Sequence, residues 1–339
     1  MNNLNEINDV YLIAEIGGNH EGDFDLAVHL AKEAIQSGAD AVKFQIYDGN
    51  TLVNGFVDAD RVNHFSKFSL TKDKYLALHE ICKNAGVDFL ASVWDEEAMD
   101  VFCPLMPFIK IGSGDLTCHS LLKKLSKFNK PIVLSTGLAN LDEIRTAISH
   151  LQHSNKFFKQ PGTIALLQCT TMYPIPDQDA ELSVIRTLVE NFKDCIVGYS
   201  DHTEGTYAAE LAYAIGAKII EVHFTCPSIK SKFRDHKVSF TKHNIIELKK
   251  RFQKISGLLG TGVKRPMQSE LNADHLISFR RALFPRKDIP AGTTIKMDDL
   301  VALRPCVGLP AENADYIIGK KLEIDLKKLQ PIKLNLVIN

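Results

Sequence analysis

The residues of this 339-residue chain that could do chemistry gather at the ends of short apolar runs. Tyr199-Ser200-Asp201-His202-Thr203 closes one run, and about one helix later Ile219-Ile220-Glu221-Val222-His223-Phe224 closes another. Glu221 and His223 are two residues apart and so share one face of a strand. Two histidines from neighbouring strand ends can take two positions around a divalent ion and leave the rest to water and substrate oxygens. Such an open octahedral set suits Mn2+ or Mg2+ better than a closed tetrahedral zinc site.

Other runs end in the same way. Glu15 sits within the apolar run Ile13-Ala14-Glu15-Ile16, where a charge must be neutralised, paired or used. That leaves two readings: a general base or substrate-hydroxyl contact, and a structural ion pair with a neighbouring lysine. Asn19 and His20 beyond it are expected to fix the loop. Lys43 and Gln45 share a face, with Phe44 turned the other way, and Lys110 precedes Gly112-Ser113-Gly114-Asp115. Two lysines directed into one interior call for an anionic ligand, phosphate or carboxylate; a Schiff-base lysine and a salt-bridged lysine are the competing uses. Ile111-Gly112-Ser113-Gly114 and Leu134-Ser135-Thr136-Gly137 each end a run with hydroxyl and glycine, which lets an oxyanion approach the backbone closely, although Ser-Thr-Gly is also an ordinary turn. Cys169-Thr170-Thr171-Met172-Tyr173-Pro174 adds hydroxyl donors. Asp235 and His236, in the loop of residues 226–239, are candidates for proton transfer, with an Asx turn as the alternative.

The elements that must position these groups follow from the pattern. Apolar runs at Tyr11 to Ile16, Ala41 to Ile46, Val87 to Val93, Phe108 to Ile111, Ile132 to Leu134, Ile164 to Leu167, Ile196 to Val197 and Lys218 to Phe224 predict eight strands. The intervals carry helical periodicity; in the first, Phe24, Leu26, Ala27, Leu30, Ala31, Ala34 and Ile35 form one face, with Asp23 as N-cap and Gly38 as the stop. Continuous apolar strands alternating with amphipathic helices predict a (β/α)8 TIM barrel, whose active groups sit on strand ends and the loops that follow. The barrel is assigned residues 1–262, a linker residues 263–277, and a small β-rich domain residues 278–339, with strand-like pieces at Ala282 to Phe284, Ile289 to Gly292, Leu300 to Leu303 and Ile317 to Gly319. The small domain should need a docking partner.

Composition bounds the partners. Forty basic and 41 acidic residues give a net charge of -1, which favours neither nucleic acid nor an anionic membrane and points to a small molecule. Seven cysteines without CxxC spacing read as reduced thiols of a cytoplasmic protein. The polar start Met1-Asn2-Asn3-Leu4-Asn5-Glu6 and the shortness of every apolar run predict neither signal peptide nor membrane span.

Taken together, Ile-Ala-Glu-Ile-Gly-x-Asn-His at 13–20, Val-Lys-x-Gln at 42–45, Lys-Ile-Gly-Ser-Gly at 110–114, Ser-Thr-Gly at 135–137, Cys-Thr-x-x-Tyr-Pro at 169–174, Ser-Asp-His at 200–202, Glu-x-His-Phe-Thr at 221–225 and Asp-His-Lys-x-Ser at 235–239 resemble the bacterial sialic acid synthase family. That family comprises the N-acetylneuraminate, legionaminate and pseudaminate synthases. Ser278 to Leu283, Asp288-Ile289-x-x-Gly292 and Arg304-Pro305 are similar to its C-terminal antifreeze-like (SAF) domain.

The resemblance implies condensation of phosphoenolpyruvate with the open-chain aldehyde of an N-acetylated hexosamine, giving a nine-carbon 2-keto sugar acid and phosphate. It implies His202 and His223 as metal ligands, with Mn2+ the expected ion and Mg2+ or Co2+ as alternatives. Lys43, Lys110, Ser113, Ser135 and Ser200 would bind phosphoenolpyruvate, while Gln45, Asp115, Tyr173 and Arg304 would bind the sugar. Glu15, Glu221, Asp235 and His236 would be catalytic. Arg304 would reach the partner's sugar site in a domain-swapped homodimer.

The chain departs from the family pattern at three places. Ser92-Val93-Trp94 stands for Thr-Pro-Phe, which is expected to alter one wall of the sugar pocket; Thr171 stands for an asparagine, which weakens a phosphate contact; and Phe233-Arg234 stands for Gly-Pro, which adds charge and bulk at the loop. A phosphoenolpyruvate-aldehyde enzyme making 3-deoxy sugar acids from sugar phosphates would need a further arginine cluster, and the strand ends carry none. A barrel that only binds glycan would not need the pair of histidines and both interior lysines.

Overall fold

A computed structural model describes residues 3–229, 233–333, 335, 337 and 338. Met1, Asn2 and residues 230–232 of the loop at 226–239 lie outside the described residues.

Eight strands form one parallel sheet: β1 (Tyr11–Gly17), β2 (Ala41–Ile46), β3 (Asp88–Val93), β4 (Ile109–Ile111), β5 (Ile132–Ser135), β6 (Ile164–Gln168), β7 (Ile196–Asp201) and β8 (Ile219–His223). Hydrogen bonding runs in the order β3-β2-β1-β8-β7-β6-β5-β4, and β3 and β4 meet side by side to complete a nearly closed barrel. At that seam the β3 amide of Ala91 donates to Met106 Sδ at 2.9 Å rather than to a partner strand. The strands are buried on both faces, because helices from the crossovers cover the outside.

The first crossover shows how local sequence sets an element. Asp23 accepts from Leu26 N at 3.1 Å, the helix Phe24–Gln36 buries Ala27, Leu30, Ala31 and Ala34, and Gly38 turns away at φ +81°. Truncating Leu30 alone would cost about 2–5 kcal/mol. The period of two along β2 sends Phe44 outward, onto the rings of Tyr75 and Phe89 at 6.3 and 5.7 Å, and so leaves Lys43 and Gln45 inside.

The strand expectations differ from the structure chiefly at β7, which runs on through Tyr199, Ser200 and Asp201 rather than ending at Val197. Polar residues continue the strand because Ser200 and Asp201 stay in register with Glu221 and Val222 of β8.

The chain divides into a unit ending at Gly260 and a second beginning at Thr261. The second unit carries short helices at Gln268–Asn272 and His275–Ser278. It has two antiparallel pairs, β9 (Ala282–Pro285) with β10 (Leu300–Leu303) and β11 (Lys321–Leu322) with β12 (Val337–Ile338). Its own core includes Leu283, Ile295, Ile317, Leu326 and Ile332. Two expected strand pieces are not strands. Ile289 makes a single bridge to Leu326 before Pro290, which has no N–H, and Gly292 turns at φ +76°. Ile317 instead follows the 3-10 segment Ala311–Tyr316 as a core anchor.

All seven cysteines are free, and among the described residues no helix is long and apolar enough to cross a membrane.

Candidate active site

The C-terminal ends of the strands open into a cavity of about 620 Å3. Twelve predicted side chains line it: Glu15, Lys43, Gln45, Lys110, Ser113, Asp115, Ser135, Tyr173, Ser200, His202, Glu221 and His223. Register accounts for the gathering. Glu15 on β1 stands opposite Lys43 of β2 on one side and His223 of β8 on the other, and Ser200 of β7 stands opposite Glu221. A bulge between Glu15 and Gly17, with Gly17 at φ +54°, follows this row at once.

On the cavity floor the charges alternate. Lys43 Nζ lies 2.7 Å from Glu15 Oε2 and 3.6 Å from Glu221 Oε2, and Lys110 Nζ lies 3.5 Å from Glu221 Oε1. Lys110 also donates to Ser135 Oγ at 2.7 Å, Ser200 donates to Glu221 Oε1 at 2.9 Å, and Gln45 donates to Glu15 Oε1 at 3.0 Å. Of the uses open to the two lysines, the salt bridge is present, since two carboxylates already face them. Burial disfavours the Lys43 cation, yet Glu15 and Glu221 outweigh that and leave its pKa raised. Lys110, with one carboxylate at hand and Lys43 nearby, is left lowered by its burial. Burial likewise opposes charge on Glu221, but Lys110 and Lys43 hold it down to about 2. Lys110 is therefore the ammonium with most to gain from an incoming anion.

Beside Lys110, hydroxyls converge. Ser113 Oγ accepts from Gly137 N at 3.1 Å, and a Cβ at Gly137 would stand 2.5 Å from Thr171 Oγ1 and 2.8 Å from Ser113 Oγ. Only glycine permits this approach. The backbone N–H and hydroxyls around it make a pocket suited to oxyanions.

The histidines stand on the other side, their rings 5.2 Å apart. His202 Nδ1 bonds the Thr170 carbonyl at 3.0 Å; a carbonyl only accepts, so Nδ1 carries the hydrogen and Nε2 keeps its lone pair. Burial, with His223 adding to it, lowers the pKa of His202 to about 3, so the ring is neutral and able to ligate. His223 Nδ1 is buried and has no hydrogen-bond partner. Two such nitrogens fit a divalent cation. Among the described residues no group of three ligating His, Cys, Asp or Glu side chains gathers, so the remaining ligands would be water or substrate. The Tyr173 ring lies 4.1 Å from His202, and burial raises its pKa so that it remains a phenol.

Three predicted site residues are not in this lining. Asp235 is next door: its Oδ2 is 3.9 Å from His223 Nδ1, and it lines an adjoining cavity of about 610 Å3 that shares Gln45, Arg61, Phe65, Tyr173 and Arg234 with the first. His236 is not brought to either cavity. Its Nδ1 meets Thr225 Oγ1 at 2.7 Å and its Nε2 meets Glu21 Oε1 at 3.3 Å, so both nitrogens are spent tying the loop to β1 and β8 connections. Arg304 belongs to the second unit, where its guanidinium lies 5.3 Å over Phe279. Asn19 does fix a loop, donating to Phe224 O and Ser239 Oγ, each at 2.9 Å.

Sequence reasoning missed other lining groups. Trp94 and Cys169 stand at strand ends and were legible as part of their motifs, whereas Arg61 and Phe65 come from the helix Ala59–Phe68, where nothing in the local pattern marks them.

The pattern of the NeuB family matches residues 30–264, and that of the SAF domain matches residues 280–338. The chain belongs to the NeuB family. Among NeuB-related proteins, the N,N'-diacetyllegionaminic acid synthase of Legionella pneumophila is 33% identical over 331 residues, covering 93% of this chain and 91% of that protein. The synthase of the same name from Campylobacter jejuni is 35% identical over 324 residues, covering 91% and 94%. A crystal structure of the N-acetylneuraminic acid (sialic acid) synthetase of Leptospira borgpetersenii, in complex with citrate, superposes with a TM-score of 0.72 at 30% identity, covering 79% of this chain and 91% of that one. This NeuB chain is accordingly an enzyme, a synthase with a TIM barrel and a SAF domain.

Proposed function

We propose that this enzyme condenses phosphoenolpyruvate with the open-chain aldehyde of an N-acetylated hexosamine, N-acetylmannosamine or a diacetamido-trideoxyhexose. The products are a nine-carbon 2-keto sugar acid and phosphate. The observation that carries the reading is the junction, in one cavity, of the Lys43–Glu15–Glu221–Lys110 chain with the two buried histidines His202 and His223. The names of the relatives, synthases of diacetyllegionaminic, pseudaminic and N-acetylneuraminic-9-phosphate products, support it.

Carbon 3 of the enolpyruvate forms the new bond to the aldehyde carbon, whose oxygen gains a proton. Water then adds at carbon 2, losing one proton on attack and the second as the keto group forms and phosphate departs with its bridging oxygen. Lys110, Ser113, Ser135 and Ser200 would hold the donor's anionic groups, with Lys43 completing the floor. Glu15, 2.7 Å from Lys43, would take the water proton. Gln45, Asp115 and Tyr173 would bind acceptor hydroxyls, and Asp235, beside His223, would steady the metal-side imidazole. A divalent cation, Mn2+ by preference, would supply Lewis-acid polarisation of the aldehyde when bound at His202 and His223. His236, the other proton-transfer candidate, would have to act from outside the cavity lining, through Thr225 or Glu21.

The working form would be a domain-swapped homodimer in which Arg304 serves the partner's sugar site. Exposed Leu258, Val263, Met267, Ile277 and Phe279 give such an assembly apolar surface to cover. The free thiols support a reducing, cytoplasmic setting.

A second reading keeps the donor and takes an acceptor that already carries a phosphate. It draws on Arg61 and Arg234, which line both cavities although neither lies on a strand end. Mass spectrometry of products from free and 6-phosphorylated hexosamines separates the two: the first reading expects a nonulosonic acid from the free sugar, the second only from the phosphate ester.

A further inference from the structure

The chain has a single tryptophan, and it stands in the active cavity. Trp94 follows β3, its amide donating to Ile46 O at 3.0 Å, so the β2–β3 ladder fixes where its ring begins. The ring packs on Tyr47 at 5.8 Å, which packs on Phe65 at 5.1 Å. Its indole Nε1 donates a short hydrogen bond to Asp115 Oδ2. Asp115 lies on the one-turn 3-10 segment after β4, so this bond crosses the seam where β3 and β4 share no paired register. Among the described residues Trp94 is the only side chain that hydrogen-bonds Asp115, which leaves Oδ1 for a ligand. Gly112 closes the corner: a Cβ there would lie 3.7 Å from the indole and 3.6 Å from Asp115 Oδ2.

We infer that Trp94 is a positioning residue of the acceptor site, acting through Asp115: it clamps one carboxylate oxygen across the open seam and aims the other at an acceptor hydroxyl. The role given to Asp115 rests on the proposed function; the clamp itself rests on geometry alone. The clamp has an electrostatic consequence. Burial raises the pKa of Asp115, and the indole donor and Lys110, its charged neighbour, oppose that rise. An acceptor-facing carboxylate with only one partner in the protein needs both to stay ionised.

Trp94→Phe keeps an aromatic ring beside Tyr47 and deletes the N–H donor. It is expected to raise KM for the acceptor about tenfold, the worth of one hydrogen bond to a charged group, with KM for phosphoenolpyruvate moving less than about twofold. The acid limb of kcat/KM for the acceptor moves to higher pH, because the group that held the Asp115 pKa down is gone. Trp94→Phe combined with Asp115→Asn loses no more than Asp115→Asn alone. An unchanged acceptor KM and acid limb in Trp94→Phe, or additive losses in the double variant, would overturn the inference. A second measurement is independent of turnover. The emission of the lone tryptophan should titrate with acid in the native enzyme and lose that transition in Asp115→Asn; identical titrations would show that the clamp does not form. An inactive native enzyme would refute the proposed reaction while leaving this fluorescence result to judge the clamp.

Discussion

Glu15 and Lys43 meet at 2.7 Å on the barrel floor, both almost wholly buried and placed opposite one another by the β1–β2 register. Each cancels the cost of burying the other, and removing one partner leaves an uncompensated charge. Glu15→Gln keeps the shape but leaves Lys43 facing only Glu221, at 3.6 Å. A loss of about 3 kcal/mol in urea denaturation is expected, together with loss of turnover. An unchanged denaturation midpoint would mean that the pair does not hold the floor.

His223→Ala removes the imidazole whose Nδ1 is buried without a partner. Metal-dependent turnover should disappear and calorimetric Mn2+ binding should weaken sharply, with far-ultraviolet circular dichroism unchanged. Full activity in the variant would remove the metal assignment.

Stability should fall with acid through His20. Burial lowers its pKa to about 4, against the raising influence of Asp23 and Glu21, and Gly22 N donates to its Nδ1 at 3.1 Å, a bond the protonated ring could not accept. Between the unfolded pKa of about 6.5 and the folded value, the unfolded chain binds a proton that the native protein refuses. The contribution is complete above pH of about 6.5 and is lost as pH falls towards 4, by about 3 kcal/mol in all. Urea titrations at pH 7 and pH 4.5 should show a smaller difference in His20→Asn than in the native protein; equal differences would refute it.

Arg304→Ala tests the partner arm. KM for the sugar should rise about tenfold or more, the loss of a charged hydrogen bond, and KM for phosphoenolpyruvate much less. Equal effects on both would contradict a sugar-side role.

The barrel was legible because its signals are local. Eight apolar runs, an Asp23 cap and a Gly38 stop each carry their own physics, and the alternation of Lys43 with Phe44 shows which side chain faces inward. An ion pair of Glu15 with a lysine was among the readings of the sequence, but the place of Glu221 between Lys43 and Lys110 was not, because it depends on register around the barrel. The partners of His236 were hidden for the same reason: its ring nitrogens meet Thr225 Oγ1 and Glu21 Oε1, which the Asp-His pair of the loop does not reveal. In the second unit, Ile289 and Ile317 were read as strand because buried isoleucines mark packing as readily as pairing.

The account stands most directly on phosphate release. Purified enzyme with Mn2+ should liberate inorganic phosphate from phosphoenolpyruvate when an N-acetylated hexosamine is present, and none when either the sugar or the metal is left out. Release that ignores the sugar, or no release with any hexosamine or hexosamine phosphate, would contradict it.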